Sequence, residues 1–304
     1  MTFRHALMWT LVALIAACGG AELPGGSPDD DEIRTGPFRL LLFTRTEGFR
    51  HASIPAGIAA VEQMGESNNF AVDATEDSTR FNADDLAAYE LVMFLNTTLD
   101  VLNAEQQEAF ESYIRGGGGF VGVHSAADTE HDWPFYGELV GAHFLTHPLV
   151  NQQGSLELEE TKHPSIAHLP NPWSIPLEEF YSFSSNPRGK VRVLANIDES
   201  SYQQRPNTSC DPRNEAFPQG YSGTMGDHPM SWCHDKFAGR AWYTAIGHSE
   251  YLYSQNDFLR HVLGGILTVA RRVPASCAVN ATPDRPVYQP PELETCLNQL
   301  PGAG

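Results

Sequence analysis

The run Gly116-Gly117-Gly118-Gly119-Phe120-Val121-Gly122-Val123-His124-Ser125 constrains the chain more than any other stretch. Four glycines lead into a short apolar segment that stops on a histidine. Such a segment fits a strand covered on both faces, as in a parallel sheet. In open α/β sheets ligands bind outside the C-terminal ends of the strands, where the loops leave and helix N-termini point. His124 and Ser125 are therefore expected at a ligand-binding edge. The glycines themselves read as a helix C-cap and tight turn. A phosphate-binding loop would follow its strand and end in Gly-Lys-Ser/Thr.

The segments before this run supply the rest of a βαβ pattern. Phe38 to Thr44 and Leu91 to Leu95 are near-continuous apolar runs, and Phe70 to Ala74 is a third strand. Between the strand from Phe38 and the strand from Phe70 lies a polar loop, Arg45 to His51, and a helix with Ile58, Val61 and Met64 at helical spacing. Ser53 is its expected N-cap, with Pro55 in the first turn. Asn103 to Arg115 is a helix capped by Asn103, with Glu105 and Arg115 placed as its dipole prefers. Further on, Asn151 to Glu160 alternates like an antiparallel strand, and Lys190 to Ile197 is another strand. Gly239 to His248 is a strand that again stops on Gly-His, followed by a helix from about Phe258 to Arg271. Residues 37–272 thus form one α/β domain.

Outside it, Arg4 and His5 precede an apolar run, Ala6 to Ala17, too short to span a bilayer and proportioned like a signal peptide. Leu14-Ile15-Ala16-Ala17-Cys18 resembles a bacterial lipobox, which makes residues 1–17 a signal peptide and Cys18 the lipidated residue. Residues 18–36 are rich in Gly, Pro and acid and read as a flexible tether. The expected location is the extracytoplasmic side, with the lipid anchor as the membrane contact. Such export favours disulfides among Cys210, Cys233, Cys277 and Cys296. Loop length favours Cys210–Cys233, stapling the polar excursion 199–226, and Cys277–Cys296, within the Pro-rich tail 273–304. A four-thiolate zinc site is disfavoured because no Cys-x-x-Cys pair is present. The net charge of −19 argues against a nucleic-acid partner, since phosphate neutralisation needs clustered Lys and Arg.

Histidine is the remaining pattern. His124, His147, His163, His228 and His248 fall at strand ends or in loops beside Gly or Pro, where side chains can face a crevice. Imidazole offers a proton carrier near neutral pH or a metal ligand. His124, His147, His228 and Glu179 are the right ligand types for a divalent metal, but no local spacing fixes two of them on one element. No cofactor is firmly implied.

Taken in order, Gly48-Phe49-Arg50-His51, Gly119 to Ala126 with Asp128, His147-Pro148, His163-Pro164, Glu179 with Tyr181, His228-Pro229 with Trp232, Gly239-Arg240 and Gly247-His248 resemble the ThuA-like, or trehalose-utilisation, domains. The resemblance runs from about Phe38 to Arg271. It implies a flavodoxin-like, class I glutamine amidotransferase-like three-layer α/β sandwich with a mostly parallel central sheet. The amidotransferase relatives place a Cys nucleophile at the turn where this chain has His124, so thiolate chemistry is disfavoured. Ser125 lacks the Gly-x-Ser-x-Gly setting of a serine hydrolase.

The resemblance further implies a small-molecule carbohydrate partner, a trehalose-like disaccharide or its 3-keto derivative. On that reading His124 or His248 acts as base, Glu179 as acid, and Arg240 or a metal polarises the keto oxygen. Arg50, His51, Ser125, Asp128, Tyr181, His228, Trp232 and Arg240 are the candidate substrate-binding residues, with Tyr181 and Trp232 stacking on a pyranose. The alternatives are a non-catalytic carbohydrate-binding lipoprotein and an amidohydrolase acting on a small nitrogenous substrate.

Overall fold

The computed structural model describes residues 33–148, 150–159, 161–204 and 223–280. Strand β1 (Phe38–Phe43) passes through α1 (Ile54–Asn68) to β2 (Phe70–Thr75), and α2 (Ala83–Leu86) precedes β3 (Leu91–Leu95). Helix α3 (Ala104–Arg115) leads to β4 (Gly119–Val123), and α4 (Pro134–Val140) to β5 (Phe144–Thr146). Then come β6 (Gln152–Leu158), β7 (Trp173–Glu178), β8 (Ser182–Phe183), β9 (Arg192–Ile197), β10 (Pro229–His234), β11 (Ala241–Thr244) and α5 (Asn256–Val269).

Among the described residues, nine strands form one sheet in the order β2-β1-β3-β4-β11-β10-β9-β6-β7. β2, β1, β3, β4 and β11 run parallel, and β10, β9, β6 and β7 extend the sheet antiparallel. The short β5 and β8 pair separately. Every residue of β3 and β4 is buried, as expected of strands covered on both faces. On one face Phe94 and Phe120 meet Phe110 of α3 and Tyr136 of α4. On the other, Trp242 lies against Gly265 and His261 of α5, and Leu95 against Gly57 of α1. This is the three-layer, flavodoxin-like sandwich.

The glycine run acts as architecture. Gly116 caps α3, Gly117 takes φ +105°, and Gly119 opens β4 close to Val269 of α5, where a Cβ would lie 2.3 Å from Val269 Cγ1. Asn103 caps α3 in a reciprocal box with Gln106. Ser53 stands at the N-cap of α1 as expected, but its side chain makes no cap bond: its hydroxyl accepts from Asn96 Nδ2 at 2.9 Å and reaches Gly247 O at 3.4 Å, tying loop to loop.

The disulfide differs from expectation. Cys233 in β10 bonds Cys277, beyond α5, rather than Cys210. Loop length is a poor guide here because the segment after α5 lies along the sheet, where the Asn280 side chain accepts from Val193 N at 3.1 Å and donates to Val193 O at 2.9 Å. Cys277 is thereby removed from the expected Cys277–Cys296 bond. Cys18, Cys210 and Cys296 lie outside the described residues, as do the stretch expected to be a signal peptide and most of the expected tether.

Candidate active site

The C-terminal ends of the parallel strands converge on a group of imidazoles. His51 ends the loop after β1, His124 follows β4 directly, and His248 follows β11. His124 holds φ +52°, a left-handed conformation that costs a non-glycine residue energy and recurs at functional sites. Its carbonyl accepts from Tyr243 OH at 2.8 Å, which fastens the turn. Asn96, after β3, and Tyr253 both donate to Gly247 O, at 3.2 and 3.0 Å, and set the loop that carries His248.

Glu179 enters from the antiparallel side. Between Ile175 and Glu178, β7 advances three residues while β6 advances two, from Gly154 to Gln152. This bulge reverses the inward-outward alternation, so Leu177 is exposed and Glu178 fully buried. Glu178 Oε1 then accepts the backbone N–H groups of Glu179 at 3.1 Å and His248 at 2.9 Å. Ser249 Oγ donates to Leu177 O at 2.8 Å. One buried carboxyl thus locks the end of β7 to the loop after β11.

The resulting cluster is tight. His124 Nε2 lies 3.4 Å and His248 Nδ1 3.1 Å from Glu179 Oε2, and His147 Nδ1 3.2 Å from Glu179 Oε1. The His51 ring centroid is 4.8 Å from that of His124 and 5.0 Å from that of His248. The Tyr181 ring covers His124 at 4.2 Å between centroids. Ser125 Oγ is 3.4 Å from His51 Nδ1. His124 Nδ1 is 2.8 Å from Ala245 O, an acceptor only, so this nitrogen carries the proton and Nε2 faces the cluster with a lone pair.

Electrostatics separate these groups. Burial pushes the His51 imidazole down to about 2, helped by the neighbouring His124 and His248. Burial likewise lowers His124, against the pull of Glu179. Burial also opposes the charged form of Glu179, but contact with His124 and His248 outweighs it and holds the carboxyl well below its ordinary range. For His248 burial is outweighed by Glu179, and the imidazole is raised. Burial lifts Glu178 to about 7. Two neutral imidazoles and an anionic carboxylate therefore share the floor of the site.

Several expected members lie elsewhere. His228 is buried, with Nε2 donating to Tyr181 O at 2.7 Å and Nδ1 3.0 Å from Glu199 Oε1, so both nitrogens are used outside the cluster. Trp232 is buried with its indole N–H on Val140 O at 2.8 Å and Tyr243 and Phe183 against its ring. Arg240 precedes β11 and reaches Thr268 O, placing it at the opposite edge of the sheet from His248. Arg50 is exposed and pairs with Glu76 at 2.6 Å. Asp128 holds His131 at 2.9 Å. Phe49, part of the Gly48–His51 motif but given no role by it, is 66% exposed and stands over His51 at 4.8 Å between ring centroids. Glu178 carries no signal in the sequence, because the bulge that buries it breaks the periodic alternation.

For a metal, the donors that converge are His51, His124, Glu179 and His248, all within 4.8 Å of one another, with His147 alongside. His228 is not among them. Lone-pair nitrogens around a carboxylate can also move protons or stabilise a developing charge.

Solved structures share the fold. A protein described as ThuA-like from Bacteroides uniformis is 22% identical with TM-score 0.63, covering 80% of this chain and 95% of its own. Another so described, from Parabacteroides merdae, is 18% identical with TM-score 0.57, covering 86% and 96%. A cytoplasmic protein of Salmonella typhimurium is 10% identical with TM-score 0.51, covering 76% and 99%. No curated protein matches the chain significantly. The family model described as "Trehalose utilisation" matches residues 39–268, three quarters of the sequence, and the chain belongs to this ThuA family.

Proposed function

We propose that the chain is an extracytoplasmic carbohydrate-processing enzyme, a hydrolase or lyase acting on trehalose-like glycosides or their 3-keto forms. The observation that carries this reading is the convergence of His51, His124, His248 and His147 on Glu179 at the strand ends. Family membership in trehalose utilisation supports a sugar as the ligand. The exposed ring of Phe49 at the lip offers an apolar face for a pyranose, a role Trp232 is too buried to play.

A 3-keto glycoside needs little help to break. A base takes the proton from C2, made acidic by the ketone; its electron pair forms C1=C2 and the C1–O bond leaves with the glycosidic oxygen. That oxygen takes a proton from an acid, and addition of water to the enone completes a net hydrolysis. His147 and His248, with side chains 29% and 20% exposed, are the imidazoles able to exchange protons with a ligand. Glu179, held anionic, serves better as their electrostatic partner than as the acid.

Screening the purified chain against disaccharides and their 3-keto forms tests the reading. Turnover of a keto-glycoside, reduced at least ~100-fold in His147→Gln with ligand binding kept, is the expected outcome. Binding of sugar with no turnover of either form would instead identify a carbohydrate-binding protein. Lipidation at Cys18 belongs to the same proposal and is tested by Cys18→Ser, which should release the mature chain from the membrane fraction.

A further inference from the structure

We propose that His51, His124, Glu179 and His248 form a mononuclear site for a divalent first-row transition ion of the zinc class. The inference deepens the proposed function, supplying an electrophile at the same pocket. It begins with two atoms that lack what buried polar atoms normally have. His124 Nε2 and His248 Nδ1 are buried and have no hydrogen-bond partner among the described residues, although Glu179 Oε2 is 3.4 and 3.1 Å away. The contacts are close but not aligned as hydrogen bonds. Buried polar groups without a partner are rare and call for an explanation. A cation between these atoms would give every lone pair a partner at once.

The spacing suits such an ion. Tetrahedral zinc with bonds of about 2.0–2.1 Å separates its donors by about 3.3 Å. Glu179 Oε2 stands at 3.4 and 3.1 Å from two of the nitrogens, and all four donors lie within 4.8 Å of one another. Three imidazoles with one carboxylate are borderline ligands that favour zinc and its neighbours over magnesium or calcium.

The outer shell has the form that metal-binding histidines require. His124 donates Nδ1–H to Ala245 O at 2.8 Å, which fixes the tautomer and turns Nε2 inward. His51 Nδ1 is 3.4 Å from Ser125 Oγ. Glu178 Oε1 holds the backbone of both Glu179 and His248, setting two ligands from two loops with one oxygen. The ion would also fill a gap in the proposed chemistry. Arg240, expected to polarise the keto oxygen, is at the other edge of the sheet, and an ion at this cluster would take that role provided it accepts the oxygen as a fifth ligand. His147, its Nδ1 held by Pro148 O at 2.7 Å, then remains to move protons through Nε2.

The second grouping of ligand types, His163 with Cys233 and Cys277, does not compete, because its sulfurs are joined in the disulfide. The test therefore omits thiol reductants. The mature full-length chain is stripped with chelator, dialysed against Zn²⁺ or Co²⁺, and assayed for bound metal and for the Co²⁺ visible spectrum. One equivalent per chain is expected, with d–d bands of a four- or five-coordinate site. His51→Ala and His124→Ala should weaken binding more than ~100-fold, beyond the 10–100-fold typical of outer-shell changes. His168→Gln, remote from the cluster, should keep one equivalent. Circular dichroism of the stripped variants establishes that they fold. Because His124→Ala could lose its turn, Glu179→Gln provides a second reading with the backbone intact. A folded wild-type chain that takes up less than ~0.1 equivalent of either ion, or a His51→Ala chain that binds as the wild type does, overturns the site. Metal bound without turnover of any keto-glycoside would sink the proposed reaction and leave the metal site standing; turnover by a chain that takes up neither ion would do the reverse.

Discussion

His261 makes a sharp test of the buried architecture under the site. Its ring is fully buried on α5 between Trp173 and Trp242, at 5.3 and 4.9 Å between centroids. Nδ1 is 2.9 Å from Ser165 O, an acceptor only, so Nδ1 carries the proton and Nε2 accepts from Thr244 Oγ1 at 3.1 Å. Protonating Nε2 would bury a charge and break that bond, and burial accordingly pushes the imidazole from 6.5 down to about 3. The unfolded chain takes up this proton first, so the contribution is fully present above pH 6.5 and is lost as pH falls toward 3. At ~1.4 kcal/mol per pH unit the loss reaches about 2 kcal/mol at pH 5. His261→Gln removes the titration at a cost of about 1–2 kcal/mol near pH 7.5. Urea unfolding of both proteins from pH 7.5 to 5 should show the wild type's advantage shrinking by about 2 kcal/mol. Groups that titrate in both, His143 among them, cancel in the difference. Parallel stability curves across that range would refute the burial argument for His261.

Three further outcomes are expected. Glu178→Ala strands the N–H groups of Glu179 and His248 and should cost about 2–4 kcal/mol by denaturant titration, whereas Glu178→Gln keeps Oε1 and should cost under ~1 kcal/mol; equal losses would remove Glu178 as the fastener. Cys277→Ser opens a crosslink with a sequence separation of 44 residues and should lower stability by about 4 kcal/mol in the chain-entropy account, a loss that reductant reproduces in the wild type. Gly264→Ala puts a Cβ 2.4 Å from Ser165 Cα and 2.6 Å from Pro164 O, so α5 must retreat from that loop. A loss of about 2–4 kcal/mol in thermal or urea unfolding, despite alanine's better helix propensity, is the expected result.

The parallel half of the sheet was legible because its strands are buried on both faces, which writes them into the sequence as apolar runs such as Leu91 to Leu95. The elbow at His124 was legible for the same reason, as a histidine at the end of such a run. Strand geometry separates Arg240 from the cluster: Gly239-Arg240 begins a strand that His248 follows, and the two ends of one strand belong to opposite edges. The bulge in β7 had no periodic trace, since it breaks the alternation that would reveal it. The burial of His51 was hidden too, because its loop is polar and much of its cover comes from residues far along the chain, such as Ser125, His124 and His248. Cysteine pairing failed for a related reason: the segment after α5 comes back along β9, which sequence distance does not register.

The members of the cluster come from nearly the whole length of the domain, from the loop after β1 to the loop after β11, with Glu179 arriving from the far side of the sheet. Contacts of such long range carry a large loop-closure entropy and form after local ones. The pocket is therefore complete only when both halves of the sheet are in place. Any ligand it holds would act as a final clasp, stabilising the assembled chain by mass action while giving nothing to partly folded forms. Occupancy of this one pocket would then report on the integrity of the entire domain, and loss of the ligand would be felt first as a loosening between the parallel and antiparallel halves.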